Sequence, residues 1–266
     1  MKKVIACILS IILLVTSFGI ALAKDYSSDI SSVMSSFTLN NYSCKSAIQQ
    51  QVNGTYRTVE MLEIIARELD TDSKYSSDIS SVMSSFTLNN YSCKSAEQQA
   101  VNGYYRSFEL MVIIARELDK NGTYSSSISS VETSMTLNNY SCKSAPQQQT
   151  NGSYRIVEIL EIIAKELDSS NKYGSSISSI MSSFTLNNYS CKSAVQQEVN
   201  GVYRAVELLE IIAKEFDTGS KYSSSISSVM SSFTLNNYSC KSAVQQAVNG
   251  TYRTVEMLEI IAKCLN

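Results

Sequence analysis

Along most of the chain apolar residues return three and four positions apart, and the whole pattern comes back every 49 residues. In Ser27–Thr38 the apolar positions are Ile30, Val33, Met34 and Phe37. Spacings of three, one and three put them on one face of an amphipathic helix, where a strand would alternate. The other face is almost all serine, a middling helix former whose hydroxyl competes for backbone hydrogen bonds. This helix therefore depends on burying its apolar stripe. In the third copy Glu132 replaces Met34 and Met135 replaces Phe37, which places the first position at the edge of the core and the second inside it.

Asn40-Asn41 is expected to end this helix, because asparagine tolerates the left-handed conformation that closes one. The next helix is predicted to start at Ser46-Ala47-Ile48-Gln49, an S-x-x-Q pattern in which the two side chains satisfy each other's free amides. The pattern recurs in every copy. The single proline, Pro146, falls two residues after the cap Ser144, in a first turn that accepts proline. From Ala47 to Leu69 the residues Val52, Tyr56, Val59, Leu62, Ile65, Ala66 and Leu69 hold one helical phase. They hold it straight through Asn53-Gly54, which every copy contains, so one long helix with an interior glycine is predicted. Such a glycine costs about 1 kcal/mol relative to alanine, and its recurrence points to a close helix crossing. A break into two shorter helices is the alternative. Arg57 with Glu60, and Glu63 with Arg67, read as pairs on a solvated face, worth a few tenths of a kcal/mol each. Asp70–Tyr75 reads as a polar turn into the next copy.

The segment Thr38–Ala47 recurs letter for letter at Thr87–Ala96, Thr136–Ala145, Thr185–Ala194 and Thr234–Ala243. A fixed period of this size signals one supersecondary unit copied in tandem. The predicted fold is all-α: an α-solenoid of five 49-residue two-helix repeats, at 26–74, 75–123, 124–172, 173–221 and 222–266. A 49-residue unit is near the lower limit for a core of its own, so the units are expected to share one. Neither the period nor the residues fit the tetratricopeptide pattern.

Ahead of the repeats, Met1-Lys2-Lys3, an apolar run from Val4 to Leu22 and Ala21-Leu22-Ala23 have the three parts of a cleavable secretory signal. Residues 1–23 are read as that signal and 24–266 as the repeat domain. An uncleaved anchor is the competing reading, since the run is nearly long enough to span. Cleavage after Ala23 removes Lys2 and Lys3 and takes the net charge from −2 to −4. That balance gives no basis for nucleic-acid binding, and no later run is apolar enough to cross a membrane. The expected location is secreted or extracytoplasmic, at the cell surface or in a periplasm.

Chemistry is sparse. The chain has no histidine, which removes the commonest general base, metal ligand and partner of a nucleophilic Ser or Cys. No glycine-rich phosphate loop appears, no cofactor is implied, and nothing supports an enzyme. Cys44, Cys93, Cys142, Cys191 and Cys240 recur with the repeat, and Cys264 is a sixth beyond the signal, which holds Cys7. They are candidates for buried thiols or, in an exported protein, for disulfides. Equivalent positions in stacked helices lie roughly 8–10 Å apart, beyond the roughly 7 Å a bridge tolerates. Neighbouring copies are therefore not obviously joined to each other. Asn41-Tyr42-Ser43 and its equivalents have the form of glycosylation acceptors, but asparagines chosen for turns account for them.

Candidate binding residues are Tyr42 and Lys45 of the repeated loop, with Tyr91 and Lys94, Tyr140 and Lys143, Tyr189 and Lys192, and Tyr238 and Lys241. Tyr26–Ala47 is identical to Tyr75–Ala96, and the last unit ends on Ile260, Ile261 and Leu265. Neither end therefore has the polar outer face that caps a solenoid. Complementary apolar ends are expected to associate head to tail. The leading functional expectation is a self-assembling envelope or extracellular component. The alternative is a monomeric multivalent scaffold for an extracellular glycan or protein.

Overall fold

The computed structural model describes residues 24–43, 46–92, 95–141, 144–190, 193–239 and 242–266. The described residues form ten helices and no strand. They alternate between 17-residue helices, α1 (Ser27–Ser43), α3 (Ser76–Ser92), α5 (Ser125–Ser141), α7 (Gly174–Ser190) and α9 (Ser223–Ser239), and 23-residue helices, α2 (Ala47–Leu69), α4 (Ala96–Leu118), α6 (Ala145–Leu167), α8 (Ala194–Phe216) and α10 (Ala243–Leu265). Each long helix packs on the long helices of the units before and after it, and α10 packs on α2 in the same way. The five repeats thus form a closed ring, with long helices inside and short ones outside. Among the described residues the short helices rest on the long ones and make no packing contact with one another.

The two helix types follow from their sequences. A short helix buries one stripe only: Ile30, Val33 and Phe37 are covered, as are Ile79 and Phe86. Met34 is half-buried, Met135 is buried, and Glu132 sits at the core edge paired with Arg116 at 2.5 Å. A long helix is covered on several sides, by two neighbours, a short helix and the lumen. Val59, Met61, Leu62, Ile64, Ile65 and Ala66 are consecutive or nearly so and all buried. In four copies Ser46, Ser95, Ser193 and Ser242 cap their helices, each Oγ accepting from the Gln amide three residues on at 3.3 Å. Ser144, in the copy that carries Pro146, makes no such bond.

The Asn-Gly pair lies inside an unbroken helix in every copy. A Cβ built on Gly54 would lie 2.6 Å from Thr251 Cγ2, one on Gly103 2.6 Å from Thr55 Cβ, and one on Gly152 2.8 Å from Tyr104 Cβ. Glycine is thus where adjacent long helices touch, across the α10–α2 joint as well as within the array. The preceding asparagine has its own task. Asn53 Nδ2 donates to Phe37 O at 3.2 Å, and Asn102 to Phe86 O and Asn200 to Phe184 O do likewise. Each bond ties a long helix to its own short one. Tyr56 stacks edge-on to Phe86 of the next unit at 5.0 Å, and Tyr252 does the same to Phe37 across the joint.

The turn between units is also repeated. Asp70 Oδ1 accepts from Tyr75 N at 2.9 Å and its Oδ2 from Ser76 Oγ at 2.9 Å. Asp119, Asp168 and Asp217 serve the following helices similarly. Asn266 stands 49 residues after Asp217 and does this for α1. Its Oδ1 accepts from Tyr26 N at 2.8 Å, and its Nδ2 donates to Ser27 Oγ at 2.7 Å and Asp25 Oδ1 at 3.3 Å.

Three expectations change. α1 runs through Asn40-Asn41 to Ser43, because two poor helix formers cost less than a break in an otherwise continuous helix. The Arg57–Glu60 pair, 2.7 Å long, is not on a solvated face: its side chains are only 15% and 30% exposed. Finally, the apolar ends are not open, since α1 and α10 meet each other within one chain.

Gly103→Ala is expected to destabilise the ring by about 1–3 kcal/mol through overpacking, although alanine is the better helix former. Urea unfolding measures it, and a stabilised variant would contradict the contact. Asn266→Ala should cost about 1 kcal/mol as a lost helix cap. Amide exchange should show the loss concentrated in α1.

Candidate functional site

All five long helices run in the same direction, since equivalent residues meet at one level of the lumen: Leu62, Met111, Leu160, Leu209 and Leu258 line a single small void of about 20 Å³. The N-termini of the long helices therefore all open on one rim, and the Asp-bearing turns after their C-termini lie on the other. Tyr42, Tyr91, Tyr140, Tyr189 and Tyr238 lie in the last turn of the short helices, with side chains outside the described residues. Lys45, Lys94, Lys143, Lys192 and Lys241, and Cys44, Cys93, Cys142, Cys191 and Cys240, lie outside the described residues altogether. The described residues beside that rim are the helix starts Ser46, Ser95, Ser144, Ser193 and Ser242, where the five long-helix N-termini open. Aligned N-termini carry partial positive charge.

Below that rim the lumen is filled in layers. The uppermost buried layer is Gln51, Ala100, Gln149, Glu198 and Ala247, all under 4% exposed. Here the fivefold pattern breaks. Tyr104 Oη donates to Glu198 Oε1 at 2.9 Å, and Gln51 Nε2 donates to the same oxygen and to Tyr104 Oη at 3.4 Å. Gln51 is on α2, Tyr104 on α4 and Glu198 on α8, and α8 is adjacent to neither of the other two. The cluster spans the lumen. Burial pushes the Glu198 carboxyl up to about 7, against the two hydrogen bonds that favour its ionised form. Burial likewise raises the Tyr104 phenol, helped by the carboxyl beside it. Next to this cluster is a cavity of about 30 Å³ lined by Thr55, Tyr104, Ser153, Val202 and Thr251 and by the layer beneath them. It is large enough for one or two waters at roughly 10–15 Å³ each.

Between the helices, half-buried, Glu60, Glu109, Glu158, Glu207 and Glu256 each pair with the arginine three residues before, at 2.5–2.7 Å. Burial raises their carboxyls and the arginine opposes the shift. On the rim opposite the loops, the carboxylates of Asp70, Asp72 and Glu117 lie within 4.8 Å of one another, the one such group among the described residues. Asp70 is already engaged at the start of α3. Cys264 is a free, half-buried thiol that burial pushes up to about 11. No helix among the described residues is long and apolar enough to cross a membrane.

Compared with protein-family models, with characterised proteins and with solved structures, the chain finds no match.

The sequence reading did not single out Gln51, Tyr104 or Glu198. Their signal was available: at two successive lumen positions the copies differ in size and polarity, as Gln, Ala, Gln, Glu and Ala, then as Thr, Tyr, Ser, Val and Thr. The Cys264 environment makes a separate prediction. At pH 8 iodoacetamide should label Cys264 at least tenfold more slowly in the folded ring than in urea, because the thiolate is the reactive form. Equal rates, read by mass spectrometry, would contradict the burial.

Proposed function

We propose that the protein is an exported closed ring that works as a multivalent binding scaffold, holding five copies of Asn-Asn-Tyr-Ser-Cys-Lys on one rim for an extracellular glycan or protein. Ring closure carries this reading. It brings the five long-helix N-termini to one rim, which supports a scaffold whose partner engages several of the preceding segments at once. Linked weak contacts of this kind gain 10²–10⁴-fold over a single one. The helix N-termini carry partial positive charge suited to acidic groups on such a partner. The Ala-Leu-Ala signal supports export. The lack of histidine removes the commonest general base and gives no support to a catalytic role.

Head-to-tail assembly, expected from the uncapped ends, loses its driving surface when those ends bury each other. Self-association would then have to use the rims or the serine-rich outer faces. In that reading the recurring cysteines, which lie outside the described residues, are the candidate joints between copies.

Light scattering on residues 24–266 with and without reducing agent should give one ring per particle. Large species that collapse on reduction would favour the assembling reading. For binding, immobilised extracellular polysaccharides and surface proteins serve as probes. Alanine at Tyr42 and Lys45 alone should weaken capture modestly, whereas alanine at all five Tyr–Lys pairs should abolish it. Capture that survives the fivefold change would refute the loop rim as the binding face.

A further inference from the structure

We propose that Glu198 is a proton switch for the loop-bearing rim: protonated, it braces three long helices across the lumen, and ionised, it loosens them. The geometry carries this. Glu198 is 1% exposed, in the uppermost buried layer of the lumen, and its Oε1 is bonded by Tyr104 of α4 and Gln51 of α2. These are not neighbours of α8 in the ring, so the contact ties opposite sides of the mouth together.

The surroundings offer no compensating charge. The equivalent positions of the other units hold Gln51, Ala100, Gln149 and Ala247, all buried and none charged. The short helices packed on α8, α7 and α9, contain no charged residue. Arg155 and Glu158 of α6 are paired with each other, as are Arg253 and Glu256 of α10. Glu97 of α4 is exposed, and its carbonyl is taken by Gln149. Tyr104 is the titratable group that faces the carboxyl, and it is a neutral donor.

An uncompensated carboxylate in such a site has one favourable response, which is to gain water. The cavity bordered by Tyr104 gives water a place to enter, and entry there separates the first turns of α2, α4 and α8. In the neutral form the carboxyl resembles the glutamine that occupies the same position in two other copies, Gln51 and Gln149. Two further copies have alanine there, so nothing in the fold demands an acid at this place.

The sign follows from linkage. The folded-state value lies above the unfolded one, so the folded ring holds the extra proton between about pH 4.5 and 7. Stability is full below that window and is lost as pH rises through it, at up to about tenfold in the unfolding constant per pH unit. The effect exists whatever the rim binds, so it stands or falls apart from the proposed binding role.

The test compares the mature protein with Glu198→Gln in urea unfolding from pH 5 to 8 at fixed ionic strength, with amide exchange at both ends of the range. Wild type should lose stability relative to the variant by tenfold or more in the unfolding constant. Exchange, corrected by the variant, should quicken in 46–58, 95–107 and 193–205 and not in the last turns of the same helices. Glu198→Ala, which reproduces a residue already present in two copies, serves if Glu198→Gln folds poorly. Parallel pH profiles overturn the switch. So does a carboxyl carbon resonance of Glu198 that titrates below pH 5. A uniform change in exchange around the whole ring would overturn its placement at the rim.

Discussion

Adjacent long helices approach one another so closely that no side chain fits at Gly54, Gly103, Gly152, Gly201 and Gly250, and much else is arranged around that approach. It lets five helices enclose a lumen narrow enough for their own side chains to fill. The Asn before each glycine hangs the outer helix on the inner one at the same level, so the closest contact between units and the main polar contact within a unit share two residues. A glycine in mid-helix weakens the helix by about 1 kcal/mol. Van der Waals contact and burial along 23 residues on several sides more than offset it.

Much of this was legible in the sequence because it is written five times. The 49-residue period, the S-x-x-Q starts, the unbroken phase through Asn-Gly and the ranking of Met34 and Phe37 all correspond to the observed helices and burial. Closure was not legible. A period states that units repeat, but the rotation between units depends on the angle at which helices cross, and no pattern of apolar positions encodes that angle. The ends of the array carry the apolar faces seen in the sequence, but each is covered by the opposite end of the same chain. One trace of closure was present: Asn266 falls where four copies have an aspartate that serves the next helix.

The position of the Arg57–Glu60 pairs shows a second limit. Helical phase sorts residues into two faces, yet a helix in a ring has neighbours on both flanks, a short helix outside and a lumen inside. Residues that read as solvent-facing, such as Arg57, are consequently half covered. Gln51, Thr55 and Thr58, off the predicted stripe, are lumen residues. Divergence between copies was the better guide there. Positions that meet their own equivalents around an axis cannot all be large, so one Tyr104 is accommodated by Thr55, Ser153, Val202 and Thr251.

A ring has no first unit. The bond from Asn266 to Tyr26 is equivalent to the bond from Asp70 to Tyr75, so each repeat has the same two neighbours and the order of copies has little mechanical meaning. In an open array, gain or loss of one repeat lengthens or shortens the stack and leaves the other joints alone. Here it would alter the angle at every joint and the width of the lumen together. Copy number in this molecule is consequently a property of curvature, fixed jointly by all five crossings, and tandem duplication could change it only by refitting the whole circumference.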